Sequence, residues 1–439
     1  MNKRFLVLSL VLLLAFAGSI FAGGAQESPK TSAGTPKSKF AGQTLTMMMA
    51  NKEGEFEASQ AQHAAFEKMY GVKIEVEVVP SGDAGENLRR LRVATKSLPD
   101  VFTSSVGAKL YESYPAENVM KLNDQPWIGN LDVNFKEACS IDGAVYGVPL
   151  SPANVAGVFY NKKVFEKLNI EIPKTWNEFL DTCAVIKKAG VAPVALPNSK
   201  ASLSQVPFLM NYYYVAEEDP NFAEKYTKNE IRLSESDTFV YGFQKMYDLA
   251  VNEYLNEDAM ASSIEDVAMM LAEGDAAMSI IRSNILATIS VTNPDQIDDI
   301  GFFPLPDRNP EIRGVATWMP MAYLANKNAK NPELALLFME FMTTNAAVDA
   351  YTSVQKPTGA FMLNGVEFSG GVYPALTEAQ AWVEKASTPV MEYYSPIKGI
   401  NQATICSQVA AGMITPQKAV LEMEKDNAVS ARQLGLPNW

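Results

Sequence analysis

Residue types suited to bond-breaking chemistry are scarce in this chain. Among 439 residues there is one histidine, His63. It falls with Phe56, Phe66 and Tyr70 at helical spacing on one face, so it reads as a packed, hydrogen-bonded core residue. A histidine-dependent triad and a multi-histidine zinc centre are set aside on that count. The three cysteines, Cys139, Cys183 and Cys406, allow at most one disulfide. Cys183 shares an amphipathic face with Phe179, Leu180 and Ile186 and reads as core. A Cys139–Cys406 bridge stays open, with buried thiols the plainer expectation. No G-x-x-x-x-G-K-[ST] loop and no G-x-G-x-x-G after a strand occurs, so nucleotide binding has no footing. Fifty acidic residues always offer some carboxylate pair for glycoside hydrolysis, but nothing selects one. No catalytic residue, cofactor or metal is singled out, so an enzyme is not expected.

The elements that would hold binding groups alternate between strand and helix. Gln43 to Ala50 reads as a strand, and Glu55 to Tyr70 as a helix stopped by Gly71. Val72 to Val78 alternates apolar and charged residues, Ala84 to Leu98 is helical, and Pro99-Asp100 turns into Val101-Phe102-Thr103. This β-α-β-α-β order predicts a parallel sheet with helical crossovers. A second series starts with the strand Val155–Tyr160. A helix opened by Thr175 and Glu178 as a capping box follows, then a strand over Ala192–Leu196. Helices are expected over Val206–Ala216, Asp237–Val251 and Ile264–Ala272, before a buried strand ending at Ile281. Trp318–Ala325 is expected as one strand, and Asn331-Pro332-Glu333 as the start of a helix through Phe341.

The ends and the charge bound the setting. Asn2-Lys3-Arg4, the apolar run Phe5–Phe16 and small residues to Ala22 predict a signal peptide over 1–22, with Ala25 as the alternative cleavage point. Residues 23–40 are Gly, Ala, Ser, Thr, Pro, Lys and Gln-rich and predict a flexible tether. No Cys lies near the cleavage site, so a lipid anchor there is not expected. The expected location is therefore the periplasm of a two-membrane envelope. A formal charge of −13 argues against nucleic acid and anionic membrane as partners.

Three motifs stand in register: Tyr146-Gly147-Val148-Pro149, Tyr160-Asn161-Lys162 and Pro173-Lys174-Thr175-Trp176-Asn177-Glu178-Phe179. Lys327–Ala335, Gly274–Met278 and Gly412–Ala419 add three more. In this order they resemble the family 1 extracellular solute-binding proteins of ABC importers, the group that includes maltose-binding protein. Leu271 and Gln417 depart from the usual Phe and Glu. The resemblance implies a two-lobed α/β periplasmic-binding-protein fold of type II, with a ligand cleft between lobes joined by a multi-strand hinge. The expected division is 41–150 with 302–345 in the N-terminal lobe, and 151–301 with 346–439 in the C-terminal lobe. Crossovers are expected near Pro149–Ala156, Gly301–Pro306 and Thr343–Ser353. The function implied is capture of a mono- or oligosaccharide by a monomeric protein and delivery to the membrane permease of an ABC importer. The alternatives are a sugar phosphate, glycerol phosphate or polyol as ligand, or a secreted carbohydrate-active hydrolase.

A sugar asks for a flat apolar surface against its C–H face and planar polar groups for its hydroxyls. The family layout puts such contacts at strand ends. Asn51, Lys52 and Glu53 follow the first strand, with a solvated loop as the plain alternative; Ser104 and Ser105 follow the third. Asn154 sits in the first crossover, close to where maltose-binding protein has a ligand-contacting carboxylate. Ser202 and Gln205 follow the strand ending at Leu196. Arg282, Ser283 and Asn284 follow Ile281, where many relatives stack a Trp on sugar and this chain has no aromatic. Thr317 and Trp318 offer a replacement surface from the other lobe, unless Trp318 is core. Lys398 and Asn401 close the set, and Tyr393-Tyr394 either line the cleft or cover it. For a phosphate ester, Arg282 and Lys52 would be the anion partners.

Overall fold

The computed structural model describes residues 38–50, 55–80, 83–367 and 370–439. The expected signal peptide, nearly all of the tether, and Asn51, Lys52 and Glu53 lie outside the described residues. Thirteen strands occur among those described. The first six are β1 Thr44–Ala50, β2 Lys73–Val79, β3 Val101–Ser104, β4 Ser140–Ile141, β5 Ala144–Val145 and β6 Gly147–Pro149. They are followed by β7 Asn154–Asn161, β8 Ala192–Val194, β9 Ala276–Arg282 and β10 Ile300–Phe303. β11 Val315–Trp318, β12 Ala322–Ala325 and β13 Ser387–Pro389 complete the set.

They assemble into two main sheets, ordered β2-β1-β3-β12-β6 and β13-β11-β7-β9-β8, with β10 also on β7. β1 pairs in parallel with β2 and β3, as helical crossovers require, whereas β12 enters antiparallel to β3 and β6. Helix Glu55–Tyr70 links β1 to β2 and packs its Phe66 against Phe338 and Phe341 of helix Pro332–Phe341. His63 is indeed core: it is 5% exposed, with a ring nitrogen 3.1 Å from the Tyr323 hydroxyl. The Thr175 capping box forms as expected, Thr175 Oγ1 accepting from the Glu178 N–H at 3.2 Å. Trp176 behind it is buried and stacks on Phe179 at 4.9 Å. All three cysteines are free and buried, Cys139 in a first-lobe cluster and Cys406 in the main cluster of the second. No helix of the described residues is long and apolar enough to cross a membrane.

Several expected boundaries are corrected. The chain does not return to the first lobe at 302, because β10 and β11 both pair antiparallel with β7, end to end along one of its edges. Trp318–Ala325 is two strands in two sheets, separated at Pro320, which has no N–H to give a ladder. The second crossing is therefore Met319–Met321. The third comes later than Thr343–Ser353. Helix Asn345–Thr352 still lies on the first lobe, where Gln62 donates to the Ala347 carbonyl at 3.2 Å. Beyond it, Leu363 bridges Leu131 of the first lobe, and helix Pro374–Lys385 then covers the second sheet, its Glu378 accepting from the Phe302 N–H at 2.8 Å. The expected helix over 206–216 breaks at Asn211, whose N–H reaches back only three residues to Phe208. The first crossing, Leu150–Ala153, falls where expected.

Candidate functional site

β7 leaves the first crossing and carries the site. Asn154 at its start pairs with Trp318 of β11, and Ala156 two residues on pairs with Arg282 of β9. Residues opposed across a ladder share a face, as do residues two apart, so Trp318, Asn154 and Arg282 come to one face of the second sheet. The Arg282 guanidinium carbon stands 5.8 Å from the centre of the Trp318 ring, within cation–π range. Both side chains are half-buried. Trp318 was expected to face Arg282 from the opposite lobe. Instead both stand in one sheet, because β11 pairs with β7.

Asn154 and Ser283 are drawn into a buried polar knot at the crossings. The Ser283 hydroxyl donates to the Thr358 carbonyl at 2.5 Å, accepts from the Val155 N–H at 3.1 Å, and lies 3.3 Å from Asn154 Oδ1. Thr358 Oγ1 donates to the same Asn154 oxygen at 3.2 Å. Backbone contacts reinforce the knot: the Ala153 N–H donates to Ala360 at 2.8 Å. A Cβ on Gly359 would lie 1.8 Å from the Ala153 carbonyl oxygen, so glycine alone lets the chain around Thr358–Ala360 touch the first crossing there.

The wall continues through the 3-10 turn Met391–Tyr393, just past β13. Glu392 Oε1 pairs with Lys398 Nζ at 2.5 Å and accepts from Gln402 Nε2 at 2.6 Å; that nitrogen is also 3.0 Å from Gln205 Oε1. Lys398, expected as a ligand contact, is thus paired with Glu392. The Tyr393 hydroxyl donates to the Met319 carbonyl at 3.4 Å. Burial pushes its pKa up, Glu392 adds to this and Arg282 opposes it, so the phenol keeps its proton and remains a donor. Sequence reasoning missed Glu392 and Gln402, because β13 before them is only three residues, Ser387–Pro389, too short to show a strand period.

On the first lobe, Ser104 is fully buried and donates to its neighbour's carbonyl, while Ser105 is half-buried. Arg89, also missed, is 2% exposed and holds Ser113 at 2.7 Å and Glu86 at 2.5 Å. Its neighbours Arg90 and Arg92 make the segment look like a solvated basic face. Thr317 lies between Val155 and Pro389 in the sheet, and Asn284 is half-buried. Ser202 is exposed, its carbonyl accepting from Gln205 Nε2 at 3.1 Å, and exposed Asn401 gives its backbone N–H and its amide to Asp426, at 2.7 and 2.9 Å.

One cavity opens at the carboxyl ends of β1, β2 and β3, lined by Met48, Val79, Arg89, Thr103 and Met321. A second lies in the second lobe beside Glu392 and Gln402. Each is about 30 Å³, room for a water or two.

The comparisons agree with this architecture. The family described as "Bacterial extracellular solute-binding protein" matches residues 50–349. The chain is 24% identical over 320 residues to a "Multiple sugar-binding protein" of Streptococcus mutans, covering 71% of this chain and 74% of that protein. It is 26% identical over 317 residues to the melibiose/raffinose/stachyose-binding protein MelE of Bacillus subtilis, covering 70% and 68%. Among solved structures, the solute-binding protein RafE in complex with raffinose superposes with a TM-score of 0.72 at 22% identity, over 88% of this chain and all of that one. A family match across most of the chain, on a fold of two sheets linked by three crossings, settles the assignment: this chain belongs to the bacterial extracellular solute-binding proteins.

Proposed function

We propose that this protein is the carbohydrate-receiving component of an ABC importer. It takes up a mono- or oligosaccharide between its lobes, closes by hinge bending at the three crossings, and presents the loaded form to the membrane permease. Export to the periplasm by the N-terminal segment and a monomeric state belong to the same reading. The observation that carries it is the wall of Trp318, Arg282, Gln205 and Glu392 beside the crossings: one flat aromatic surface flanked by planar hydrogen-bonding groups. Such a set suits a sugar's C–H face and hydroxyls. The relatives named for multiple sugars, melibiose, raffinose and stachyose support this ligand class.

A thermal-shift screen against raffinose, stachyose, melibiose, monosaccharides, polyols and sugar phosphates tests the reading. A ligand at 100 times its dissociation constant stabilises the native state by about 2.7 kcal/mol. A shift with a neutral saccharide, and no product after prolonged incubation, is the expected result. A shift confined to phosphate esters would transfer the ligand to that class, and release of free sugar would make the protein a hydrolase.

A further inference from the structure

The 3-10 turn Gly107–Ser113 follows β3 of the first lobe, and the turn Met391–Tyr393 follows β13 of the second. The two meet at a position that only glycine can occupy. Gly107 has φ +66°, and a Cβ there would stand 2.4 Å from the Glu392 carbonyl oxygen and 2.8 Å from Tyr393 Cδ1. Tyr393 packs against two hydrophobic clusters at once. One contains Val106, Leu110 and Phe135 of the first lobe; the other contains Phe208 and Ile397 of the second. Its hydroxyl reaches the Met319 carbonyl in the second crossing, at 3.4 Å. The turn itself is braced from behind, because the Glu392 carboxylate is held by Lys398 and by Gln402, which continues to Gln205. A backbone carbonyl and a ring braced in this way cannot retreat cheaply from an obstruction.

We propose that Gly107 and the Glu392–Tyr393 turn form the stop that sets how far the lobes close, making Gly107 and Tyr393 positioning residues for capture. This rests on the hinge-closing reading above. A side chain at 107 would hold the lobes apart, and the gap would propagate to the wall containing Trp318 and Arg282.

Gly143 supplies the control. It lies in the first lobe with φ +75°, and a Cβ there meets nothing within 4 Å. Gly107→Val and Gly143→Val therefore share backbone strain, and only the first obstructs closure. The measurement is small-angle X-ray scattering of the full chain, both alone and with saturating raffinose, followed by raffinose titration. The expected result is a larger radius of gyration for Gly107→Val than for either Gly143→Val or the parent chain. Raffinose affinity should also fall at least tenfold in Gly107→Val and stay within about threefold in Gly143→Val. If Gly107→Val does not fold, Gly107→Ala carries the same clash with one carbon and is expected to show the same order. Equal radii for the position-107 and position-143 variants would overturn the proposal. Expansion confined to the position-107 variants, with no saccharide bound even by the parent, would leave the stop standing and remove the carbohydrate reading.

Discussion

Lys245 Nζ lies 2.7 Å from Asp307 Oδ2, with only 2% and 7% of the two side chains exposed. The pair ties the excursion between β10 and β11 to helix Asp237–Val251. Asn211 Oδ1 takes a second ammonium proton at 2.8 Å, and the Tyr214 ring stands 4.5 Å away. Burial pulls Lys245 down to about 8, with Asp307 opposing that fall. Burial pushes Asp307 up, but Lys245 and Arg308 outweigh it and its carboxyl stays below the usual range. Removing one partner strands the other's charge. Lys245→Met should cost about 3–5 kcal/mol in urea unfolding, and the Lys245→Met/Asp307→Leu double variant should recover much of it. A single variant within about 0.5 kcal/mol of the parent would show that the interior solvates Asp307 by other means.

Burial also pushes His63 down to about 4 from 6.5. The folded state holds the imidazole neutral while the unfolded chain protonates it first. The stability it contributes is therefore complete above about pH 6.5 and is lost as pH falls from there through 4. The gap corresponds to roughly 3 kcal/mol. Because His63 is the chain's sole histidine, His63→Gln should flatten the unfolding free energy between pH 6.5 and 5, before most carboxylates titrate. An unchanged slope in that window would assign the pH dependence elsewhere.

Local signals carried much of the fold, and long-range pairing did not show in them. The Thr175–Glu178 box and the Asn331 cap are satisfied by neighbours a few residues away, and β2 alternates exposed and half-buried residues from Lys73 to Glu77, so their residue types announce them. Which sheet receives Ile300–Phe303 depends on Phe302 fitting over Gly157, where a Cβ would lie 2.3 Å from its ring. That contact spans the second lobe and leaves no periodic trace. The site divides in the same way. Arg282 and Trp318 were readable as strand-end residues, and their meeting through β7 follows only from register. Asn154 and Ser283 sit where expected but turn to Thr358, a partner that no spacing rule connects to them.

The polar knot at the crossings predicts a coupled loss. Ser283→Ala removes the bond to the Thr358 carbonyl and the acceptor for the Val155 N–H, leaving both buried groups short of a partner. A cost of about 1–3 kcal/mol is expected in thermal or urea unfolding. Gly359→Ala should cost at least as much, since its Cβ meets backbone rather than a side chain that can move. Hydrogen exchange should locate the loosening at the Ala153 and Val155 amides in both variants. Exchange raised only near the substituted residue would mean that the crossings are held independently.

Trp318 gives the sharpest separation of binding from packing. It is half-buried, touches the second-lobe core and lies beneath Arg282, so its removal should be read on both stability and ligand. A stacking platform loses its surface in Trp318→Ala and keeps most of it in Trp318→Phe. Aromatic contacts are worth about 0.5–1.5 kcal/mol beyond area burial. Together with the lost apolar contact, this predicts at least a tenfold rise in the dissociation constant for the alanine variant. The phenylalanine variant should stay within roughly threefold. Arg282→Met tests the neighbouring charge: a neutral saccharide should lose affinity only modestly, whereas a phosphate ester would lose a charge-assisted bond and bind far more weakly. If Trp318→Ala lowers the melting temperature of the ligand-free protein but leaves calorimetric affinity for the best saccharide unchanged, Trp318 is a packing residue. The sugar's flat contact would then have to come from another aromatic beside the crossings, with Tyr393 the next to substitute.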